Sequence, residues 1–365
     1  MSTLFSPFRL RNLSLPNRIV VSPMCQYVAD NGKATAWHQV HLGGLALSGA
    51  SIVFLEATAV EAAGRITPGD LGLWNDETEA ALKPVIDAIR LVSKAAVMMQ
   101  LGHAGRKASS DVPWEGGELI PLAAGGWENY APSPLPHKDG ERPPLALDTA
   151  GLRRVRDAFA ATAERAARLG LDGVELHVAH GYLLHQFLSP ISNQRTDEYG
   201  GSLENRMRFP LEVFDAVRAV FPADKAVGVR ISATDWVDGG WDVEQSIVFV
   251  KELQKRGVDW VDVSSAGISP RQEIATGPGY QVPFAEAIKQ ATGVTTIAVG
   301  LITEANQAED IVSSGKADLV AMARAMLYDP RWGWHAAAEL GATIEVPPSY
   351  LRAAPHGFGK LLRQG

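Results

Sequence analysis

The sequence predicts an α/β fold: a single (β/α)8 barrel with an N-terminal hairpin cap and a long excursion after the third strand. Two observations support this fold class. Short apolar runs rich in valine and isoleucine recur eight times, and helix-like segments separate them. Strands that alternate with helices pair in parallel, and eight such repeats close into a barrel. An open doubly wound sheet is the rival, but no Gly-x-Gly-x-x-Gly sequence follows the first strand, which argues against it.

The predicted barrel strands are, in order, Ile19–Met24, Ser51–Thr58, Ala95–Leu101, Gly173–Val178, Ala226–Ser232, Trp260–Ser264, Thr295–Val299 and Leu319–Ala323. The predicted helices are Thr78–Val92, Leu152–Leu169, Leu203–Phe221, Val243–Lys255, Pro283–Ala291 and Glu304–Ser314. A glycine, the residue that most often ends a helix, follows four of them: Gly170, Gly257, Gly293 and Gly315.

Two segments do not fit the repeat. Phe8–Leu15 alternates apolar and polar residues, which predicts a hairpin that caps the bottom of the barrel. Residues Gly105–Leu147 are too long for an ordinary strand–helix connection, so they predict an excursion over the active face. A disordered insertion is the alternative, and the aromatic residues Trp114, Trp127 and Tyr130 argue against it. We therefore expect residues 1–365 to form one domain.

Composition limits the possible functions. The chain has 34 basic and 41 acidic residues, a net charge of −7 and no basic stretch, so nucleic acid is not an expected ligand. Its single cysteine, Cys25, excludes an internal disulfide and a cysteine-held metal cluster, and fits a reducing compartment. We find neither a signal-peptide core nor a run of about 20 apolar residues, so we expect a cytoplasmic protein without a membrane span.

The segment after the fourth predicted strand carries the strongest functional signal. His177, His180 and Tyr182 follow one another there, at the strand end where barrel enzymes place their active sites. Imidazoles polarise an oxygen and a phenol delivers a proton, so the three suit a reaction that develops charge on a carbonyl. The alternative is that they are satisfied polar residues at a strand end, but three such groups together favour a function.

The seventh and eighth strand ends predict a phosphate site. Gly300 allows close approach of the backbone, and Arg324 supplies a bidentate cation. The alternative for Arg324 is a surface ion pair with Asp329.

Arg230 indicates which phosphorylated ligand to expect. An arginine within an apolar strand is costly unless an anion meets it. With Gln100 on the third strand, it suits the pyrimidine end of a flavin, whose reduced form carries negative charge. An internal salt bridge from Arg230 to Glu56 or Asp262 is the alternative.

Four motifs make nearly the whole chain, from Leu4 to about Arg352, resemble the old yellow enzyme family of flavin-dependent ene-reductases. These motifs are Pro23-Met-Cys-Gln-Tyr27, Gly102-His-Ala-Gly-Arg-Lys107, His177-x-x-His-Gly-Tyr182 and the long run from Ser189 to Arg206. The cysteine before Gln26-Tyr27 resembles the thermophilic-like, xenobiotic-reductase branch of that family. For Cys25 itself, a small core residue and a neighbour of the cofactor are both open interpretations.

The resemblance implies a non-covalent FMN, NADPH as hydride donor, and small activated alkenes, with nitro compounds as further substrates. The implied FMN contacts are Ser22, Pro23, Met24, Cys25, Ala57, Gln100, Arg230, Gly300, Ala323 and Arg324. His177 and His180 would bind the carbonyl oxygen of the substrate, with Tyr27 on the other side, and Tyr182 would protonate the α carbon. Ping-pong kinetics in one pocket would follow.

The resemblance further implies a homodimer or homotetramer in which Arg352 reaches into the active site of a neighbouring subunit. A surface arginine in a loose tail is the alternative, because residues 353–365 have no predicted structure. Within the long motif we expect Arg195, Asp197, Glu204 and Arg206 to form a buried polar network that shapes the loop before the next helix.

Two other classes of protein stay open at this point. A metal-dependent barrel hydrolase would bind zinc with His103, His177 and His180, although such barrels usually gather more carboxylates at their strand ends. A non-catalytic flavin-binding protein would leave His177, His180 and Tyr182 idle. We expect no bound metal.

Overall fold

The computed structural model describes residues 2–365. Its strands are β1 Phe8–Leu10, β2 Leu13–Leu15, β3 Ile19–Val21, β4 Ile52–Ala59, β5 Ala96–Gly102, β6 Tyr130–Ala131, β7 Leu145–Ala146, β8 Gly173–Val178, β9 Ala226–Ser232, β10 Trp260–Ser264, β11 Thr296–Ala298, β12 Leu319–Met322, β13 Ile344–Val346 and β14 Leu362–Gln364. Its α-helices are α1 Ala36–Ala46, α2 Asp76–Val92, α3 Thr149–Arg168, α4 Leu183–Leu188, α5 Leu203–Val220, α6 Val243–Lys255, α7 Val282–Thr292, α8 Ala305–Ser313, α9 Arg324–Tyr328 and α10 Trp332–Glu339. Short 3₁₀ turns span Ala62–Gly64, Gly105–Lys107, Pro113–Glu115, Leu122–Ala124 and Pro348–Ala353.

Eight parallel strands close into a barrel in the order β3-β4-β5-β8-β9-β10-β11-β12, and β12 pairs with β3. All eight predicted strands are therefore present and the predicted (β/α)8 fold is confirmed. The first strand ends at Val21 rather than Met24. Pro23 explains the difference, because a proline cannot donate to a strand ladder.

Side-chain caps set two helix starts earlier than predicted. The side chain of Asn75 accepts a hydrogen bond from the backbone N–H of Thr78, so α2 begins at Asp76. Asp148 accepts from the N–H of Gly151 in the same way, so α3 begins at Thr149. Helices α1, α4, α9 and α10 were not among the predicted elements.

The interior of the barrel changes from apolar to polar along its axis. The hairpin β1–β2 caps the bottom as predicted, and its Leu10 and Leu15 join a buried cluster with barrel residues such as Phe54, Met98 and Trp260. Towards the carboxyl ends, inward positions carry buried polar side chains instead: Gln100, Glu175, His177, Arg230 and Asp262. This polar layer forms the floor of the candidate site.

The excursion between β5 and α3 is packed onto the barrel. Buried Arg106 donates to the carbonyl oxygens of Leu135 and Pro136 in the excursion and to that of Ile268 after β10. The indole of Trp114 meets the ring of Tyr27 edge-on, with the ring centroids 5.8 Å apart. The excursion therefore reaches the active face, as predicted.

The C-terminal residues have a defined place. Strand β14 pairs in parallel with β13, and Leu361 and Leu362 are buried against Trp334 and Ile344. Leu361 and Leu362 therefore anchor the end of the segment 353–365 on α10 and β13, whereas residues 355–360 of the segment are exposed. No helix within residues 2–365 combines the length and apolar composition that crossing a membrane requires.

Candidate active site

Most predicted site residues lie at the carboxyl ends of the barrel strands. They are Ser22 to Cys25 and Tyr27 after β3, Ala57 in β4, Gln100 in β5, His177 in β8 with His180 and Tyr182 behind it, Arg230 in β9, Gly300 after β11, and Ala323 and Arg324 after β12. Because the strands are parallel, these ends converge on one rim. Arg352 is the exception: it is exposed in a 3₁₀ turn near the C-terminus and has no ion pair within residues 2–365.

The two imidazoles form a directed hydrogen-bond chain. His177 Nδ1 accepts from the N–H of Ala179, so its proton is on Nε2, which lies 3.3 Å from His180 Nδ1. His180 Nε2 lies 2.7 Å from Ser264 Oγ. Burial, with the nearby charge of Arg230, holds the pKa of both histidines well below the ordinary value. Both rings are therefore neutral hydrogen-bond donors at neutral pH.

Tyr182 presents a phenol hydroxyl that has no hydrogen-bond partner in the described chain. Its ring meets His177 edge-on at 4.8 Å between centroids, and the Lys107 ammonium lies 5.1 Å from its centroid. Burial, followed by the nearby Cys25 and Tyr27, raises the pKa of Tyr182 well above its ordinary value. The hydroxyl therefore keeps its proton at neutral pH and is free to deliver it.

The loop after β3 forms one wall of the site. Tyr27 and Cys25 are half-buried, and Tyr27 has a left-handed backbone with φ of 57°. Burial, with Asp70 and Glu56 nearby, raises the pKa of Cys25, so it is a thiol rather than a reactive thiolate. Cys25 thus lies half-buried at the rim, a position that leaves both interpretations given from sequence open.

Glu56 holds this loop from below. It is the bulged residue where the β4–β5 register shifts, and its Oε2 accepts from the N–H of Gln26 at 2.6 Å. Its Oε1 lies 3.3 Å from His38 Nε2, and His38 Nδ1 accepts from the N–H of Thr35. The loop that lines the site is thus fixed by a buried carboxylate.

The floor of the site is a buried charged cluster. Arg230 Nε lies 3.3 Å from Asp262 Oδ2, so the internal salt bridge considered as the alternative for Arg230 is present, with Asp262 as its partner. Gln100 Nε2 and Trp260 Nε1 both donate to Glu175, at 2.9 and 2.8 Å. Burial, then the nearby Asp262, raises the pKa of Glu175 to about 8. The terminal nitrogens of Arg230 have no hydrogen-bond partner in residues 2–365 and are available to a ligand above the floor.

The strand ends β11 and β12 match a phosphate site. Gly300 has φ of 122°, which only glycine adopts readily, and Arg324 is exposed without an ion pair in the described chain. Asp329 pairs with His335 at 2.6 Å instead of Arg324. Ser22 Oγ is buried and has no partner among residues 2–365. A flavin with a phosphate tail fits these unused donors. Its phosphate would be an anion for Arg324, its reduced ring would be an anion for Arg230, and it would offer an acceptor to the hydroxyl of Ser22.

The donor set does not fit zinc. Nowhere in residues 2–365 do three histidine, cysteine or acidic side chains form a group that could hold a metal ion. His103 instead pairs with Glu61 at 3.0 Å, and its Nδ1 accepts from the N–H of Gly105. His103, His177 and His180 therefore do not form a metal-holding group together in the described residues.

Several supporting residues were missed or misjudged from sequence. Ser264 was noted only as a strand end, and the contact of His185 with Asp235 gave no sequence signal because the two lie far apart in the chain. In the long motif, Arg195 pairs with Asp197, and Arg206 donates to the carbonyl of Leu188 and to Gln245. The predicted buried network is therefore wrong: Asp197 is exposed beside Arg195, Glu204 is exposed on the first turn of α5, and of the four only Arg206 is buried.

Comparison with known proteins gives consistent results. Residues 3–342 match the model of the NADH:flavin oxidoreductase / NADH oxidase family. The chain is 44% identical over 353 residues to an NADPH dehydrogenase of Geobacillus thermodenitrificans, which covers 96% of this chain and 98% of the relative. An NADPH dehydrogenase of Listeria innocua is 43% identical over 97% of this chain and 99% of its own. Among solved structures, morphinone reductase is similar with a TM-score of 0.77 and 29% identity over 95% of this chain and 92% of its own. Its complex with tetrahydroNAD is similar with a TM-score of 0.76 and 30% identity over 95% and 93%.

Proposed function

Since the chain belongs to the NADH:flavin oxidoreductase / NADH oxidase family, we propose that it is an ene-reductase that reduces the C=C bond of α,β-unsaturated carbonyl compounds. Membership in this family confirms the resemblance stated from sequence. The protein is an FMN-containing oxidoreductase and takes hydride from a reduced nicotinamide, NADPH by the names of its relatives. What we propose beyond this is the acceptor, the mechanism and the role of each residue.

One observation supports the acceptor above all others: two neutral imidazoles and an unpartnered phenol hydroxyl converge on one rim. A carbonyl oxygen that accepts a hydrogen bond from His177 Nε2 is stabilised by it as negative charge develops on the oxygen during the reaction. This draws electrons from the conjugated double bond and makes its β carbon electrophilic. Tyr27, from the opposite wall, is a further donor to the same oxygen.

Ser264 allows both imidazoles to donate at once. Without a ligand, His180 Nδ1 accepts from His177, and His180 Nε2–H donates to Ser264 Oγ. A hydroxyl is both donor and acceptor, so Ser264 can donate to Nε2 instead, which moves the proton of His180 to Nδ1. Gln281 Oε1, which also accepts from Ser264 Oγ, keeps its hydrogen bond from Ser265 Oγ when Ser264 donates to His180 instead. Two N–H groups then point at the carbonyl oxygen.

Tyr182 completes the reaction by giving its proton to the α carbon. Reduced FMN, when bound, would supply the hydride for the β carbon. The hydroxyl of Tyr182 has no competing acceptor among residues 2–365, and its raised pKa keeps it protonated until the substrate arrives. The nicotinamide would use the same pocket beforehand, which gives ping-pong kinetics.

We assign the cofactor contacts by the chemistry of the rim. Arg230 and Gln100 would face the pyrimidine edge of the flavin, and Gly300, Ala323 and Arg324 would hold its phosphate. The ring would lie on Ser22, Pro23, Met24 and Cys25, with Ala57 beside it. Residues 1–365 would then act as one FMN-binding barrel domain.

We extend the proposal to the quaternary structure. Arg352 is exposed and has no ion pair in the described residues, so its guanidinium is available to a neighbouring subunit. A homodimer or homotetramer would bring it to the active site of its partner. Light scattering together with an Arg352→Ala variant tests this: an oligomer with weakened substrate binding supports it, and a monomer contradicts it.

The experiment that tests the function is an anaerobic absorption spectrum of the purified protein, first alone, then with NADPH, then with cyclohexenone. We expect a flavin spectrum that bleaches with NADPH and returns with the enone. A flavin that bleaches but does not return with any activated alkene would refute the acceptor and leave the oxidoreductase in place. A nitroaromatic compound in the last step tests the wider substrate class.

A further inference from the structure

The three residues that carry the two donors of the active site, His180, Gly181 and Tyr182, form a turn whose backbone is unusually constrained. We call it the catalytic turn. His180 and Gly181 both have left-handed backbones, with φ of 57° and 72°. A Cβ on Gly181 would lie 2.0 Å from the carbonyl oxygen of Gly267, so no side chain fits there. A non-glycine residue in this conformation persists only where its surroundings enforce it.

Every backbone polar group of the catalytic turn has a partner. The N–H groups of His180, Gly181 and Tyr182 donate to Ser232 Oγ, His185 Nδ1 and the carbonyl oxygen of Ala179. Their carbonyl oxygens accept from Lys107 Nζ, Gln186 Nε2 and the N–H of Gln186. The hydrogen bond to the N–H of Gly181 lies between the two residues that must be positioned.

That bond depends on a buried imidazole with a fixed tautomer. His185 Nδ1 accepts from Gly181 at 2.9 Å, so the proton of His185 is on Nε2. His185 Nε2 lies 2.9 Å from Asp235 Oδ1, off the ideal hydrogen-bond direction, and both side chains are completely buried. Asp235 Oδ2 accepts from Ser189 Oγ and from the N–H of Trp241, at 2.6 and 2.7 Å.

We propose that His185 and Asp235 are positioning residues of the reaction: Asp235 selects the tautomer of His185 that holds Gly181, and so aims His180 and Tyr182 at the substrate. The pair also ties the catalytic turn to the loop between β9 and α6, because Asp235 follows β9. The kinetic consequence of this inference, a slower reduction of the enone when the pair is broken, rests on the proposed ene-reductase function. Its structural part, the aim of His180, does not depend on that function.

Asp235→Asn is the selective test, because it keeps the volume and removes one acceptor. The amide oxygen of the variant can keep the hydrogen bonds from Ser189 Oγ and from the N–H of Trp241, which leaves the amide N–H₂ group facing His185 Nε2. Because this group donates, Nε2 must accept, and the proton of His185 is forced to Nδ1. Nδ1–H then opposes the N–H of Gly181, and the bond that holds the turn is lost. Ser189→Ala is the matched control, since it removes a hydrogen bond from the same carboxylate but leaves Oδ1, His185 and Gly181 unchanged.

The readout is how fast reduced enzyme is reoxidised by two acceptors, cyclohexenone and dioxygen. Only the reaction with the enone requires His180 and Tyr182 to be correctly oriented. We expect Asp235→Asn to slow the enone reaction about 10–100-fold, as a misplacement of about 1 Å does, and to leave the dioxygen rate unchanged. Ser189→Ala should leave the ratio of the two rates at the wild-type value. Affinity for phenol, which needs His180 but no turnover, should fall in Asp235→Asn alone.

Other outcomes overturn the proposal. If Asp235→Asn slows both acceptors in parallel, or matches Ser189→Ala, the pair is only structural. If Asp235→Asn does not fold, His185→Gln and His185→Leu decide: glutamine keeps an acceptor for Gly181 and should preserve the enone-to-dioxygen ratio, whereas leucine should lower it. Equal ratios in these two variants refute the role. A wild type that never reduces the enone refutes the proposed function instead, and the phenol affinities still decide the positioning role.

Discussion

Tyr182→Phe separates the chemistry of the site from its stability. The variant removes one oxygen atom that has no hydrogen-bond partner in the described chain. The ring keeps its contact with His177 at 4.8 Å and its place beneath the Lys107 ammonium. Because no hydrogen bond is lost, we expect the free energy of unfolding to change by no more than about 0.5 kcal/mol.

The effect on catalysis should be far larger. A positioned general acid contributes about 10²–10⁴-fold to the rate, which corresponds to about 3–5 kcal/mol of activation free energy. The reduction of FMN by NADPH needs no proton from Tyr182. Only the alkene step should therefore slow by this factor.

Anaerobic stopped-flow spectroscopy measures the two half-reactions separately, by the bleaching and the return of the flavin absorbance. Tyr199→Phe is the control, since it removes a phenol oxygen that contacts Glu212 outside the site. If Tyr182→Phe slows both half-reactions equally, or leaves the alkene step unchanged, Tyr182 is not the proton donor.

Three further predictions test the rest of the site. Replacing both His177 and His180 with Ala should weaken phenol binding about 10–100-fold in a flavin absorbance titration, because two hydrogen bonds to the phenol oxygen are lost; unchanged affinity removes both from the oxygen site. Arg324→Ala should raise the Kd of FMN about 10–100-fold by calorimetry while the unfolding of the apoprotein stays the same, and an unchanged Kd contradicts the phosphate site. Burial raises the pKa of Asp70 from 3.8 to about 7, so the stability that this carboxyl contributes is complete below pH 3.8 and is lost as the pH rises to about 7. Urea unfolding of Asp70→Asn should lack this loss, up to about 1.4 kcal/mol per pH unit, and parallel curves for the two proteins would show that Asp70 titrates normally.

The periodicity of the sequence predicted the barrel because each strand is a short apolar run that the fold buries on both faces. The bounds were less accurate where a single side chain decides them, as Asn75 does for α2 and Pro23 does for β3. Helix α4 was missed because its six residues, Leu183–Leu188, are all buried and too few to show a helical period. Apolar patterns of that length do not distinguish a helix from a strand.

The placement of most candidate site residues at one rim was predictable, but their partners within the chain were not. For Arg230 the sequence left Glu56 and Asp262 open as partners. The β9–β10 register places Arg230 opposite Asp262, whereas the bulge in β4 turns Glu56 towards Gln26 and His38. Registers and bulges follow from tertiary packing, so a local sequence pattern does not contain them.

The site divides its hydrogen bonds between two sets of groups. Three groups that would meet a ligand have no partner in residues 2–365: the hydroxyl of Tyr182, the terminal nitrogens of Arg230, and the guanidinium of Arg324. The backbone that carries the site is satisfied by buried imidazole–carboxylate pairs: His38 with Glu56, His103 with Glu61, and His185 with Asp235. In each pair Nδ1 accepts a backbone N–H of a loop at the rim, and Nε2 faces the carboxylate.

This division has a physical reason. An unpartnered donor at a solvent-accessible rim loses little, because water can serve it until a ligand arrives, whereas a buried backbone N–H without a partner costs about 1–3 kcal/mol. A neutral imidazole accepts that N–H without adding a buried charge, and the carboxylate fixes which nitrogen accepts. The rim can therefore hold strained turns such as His180-Gly181 in a single geometry while its reactive groups stay free. Preorganisation of this kind places the energetic cost in folding rather than in each turnover.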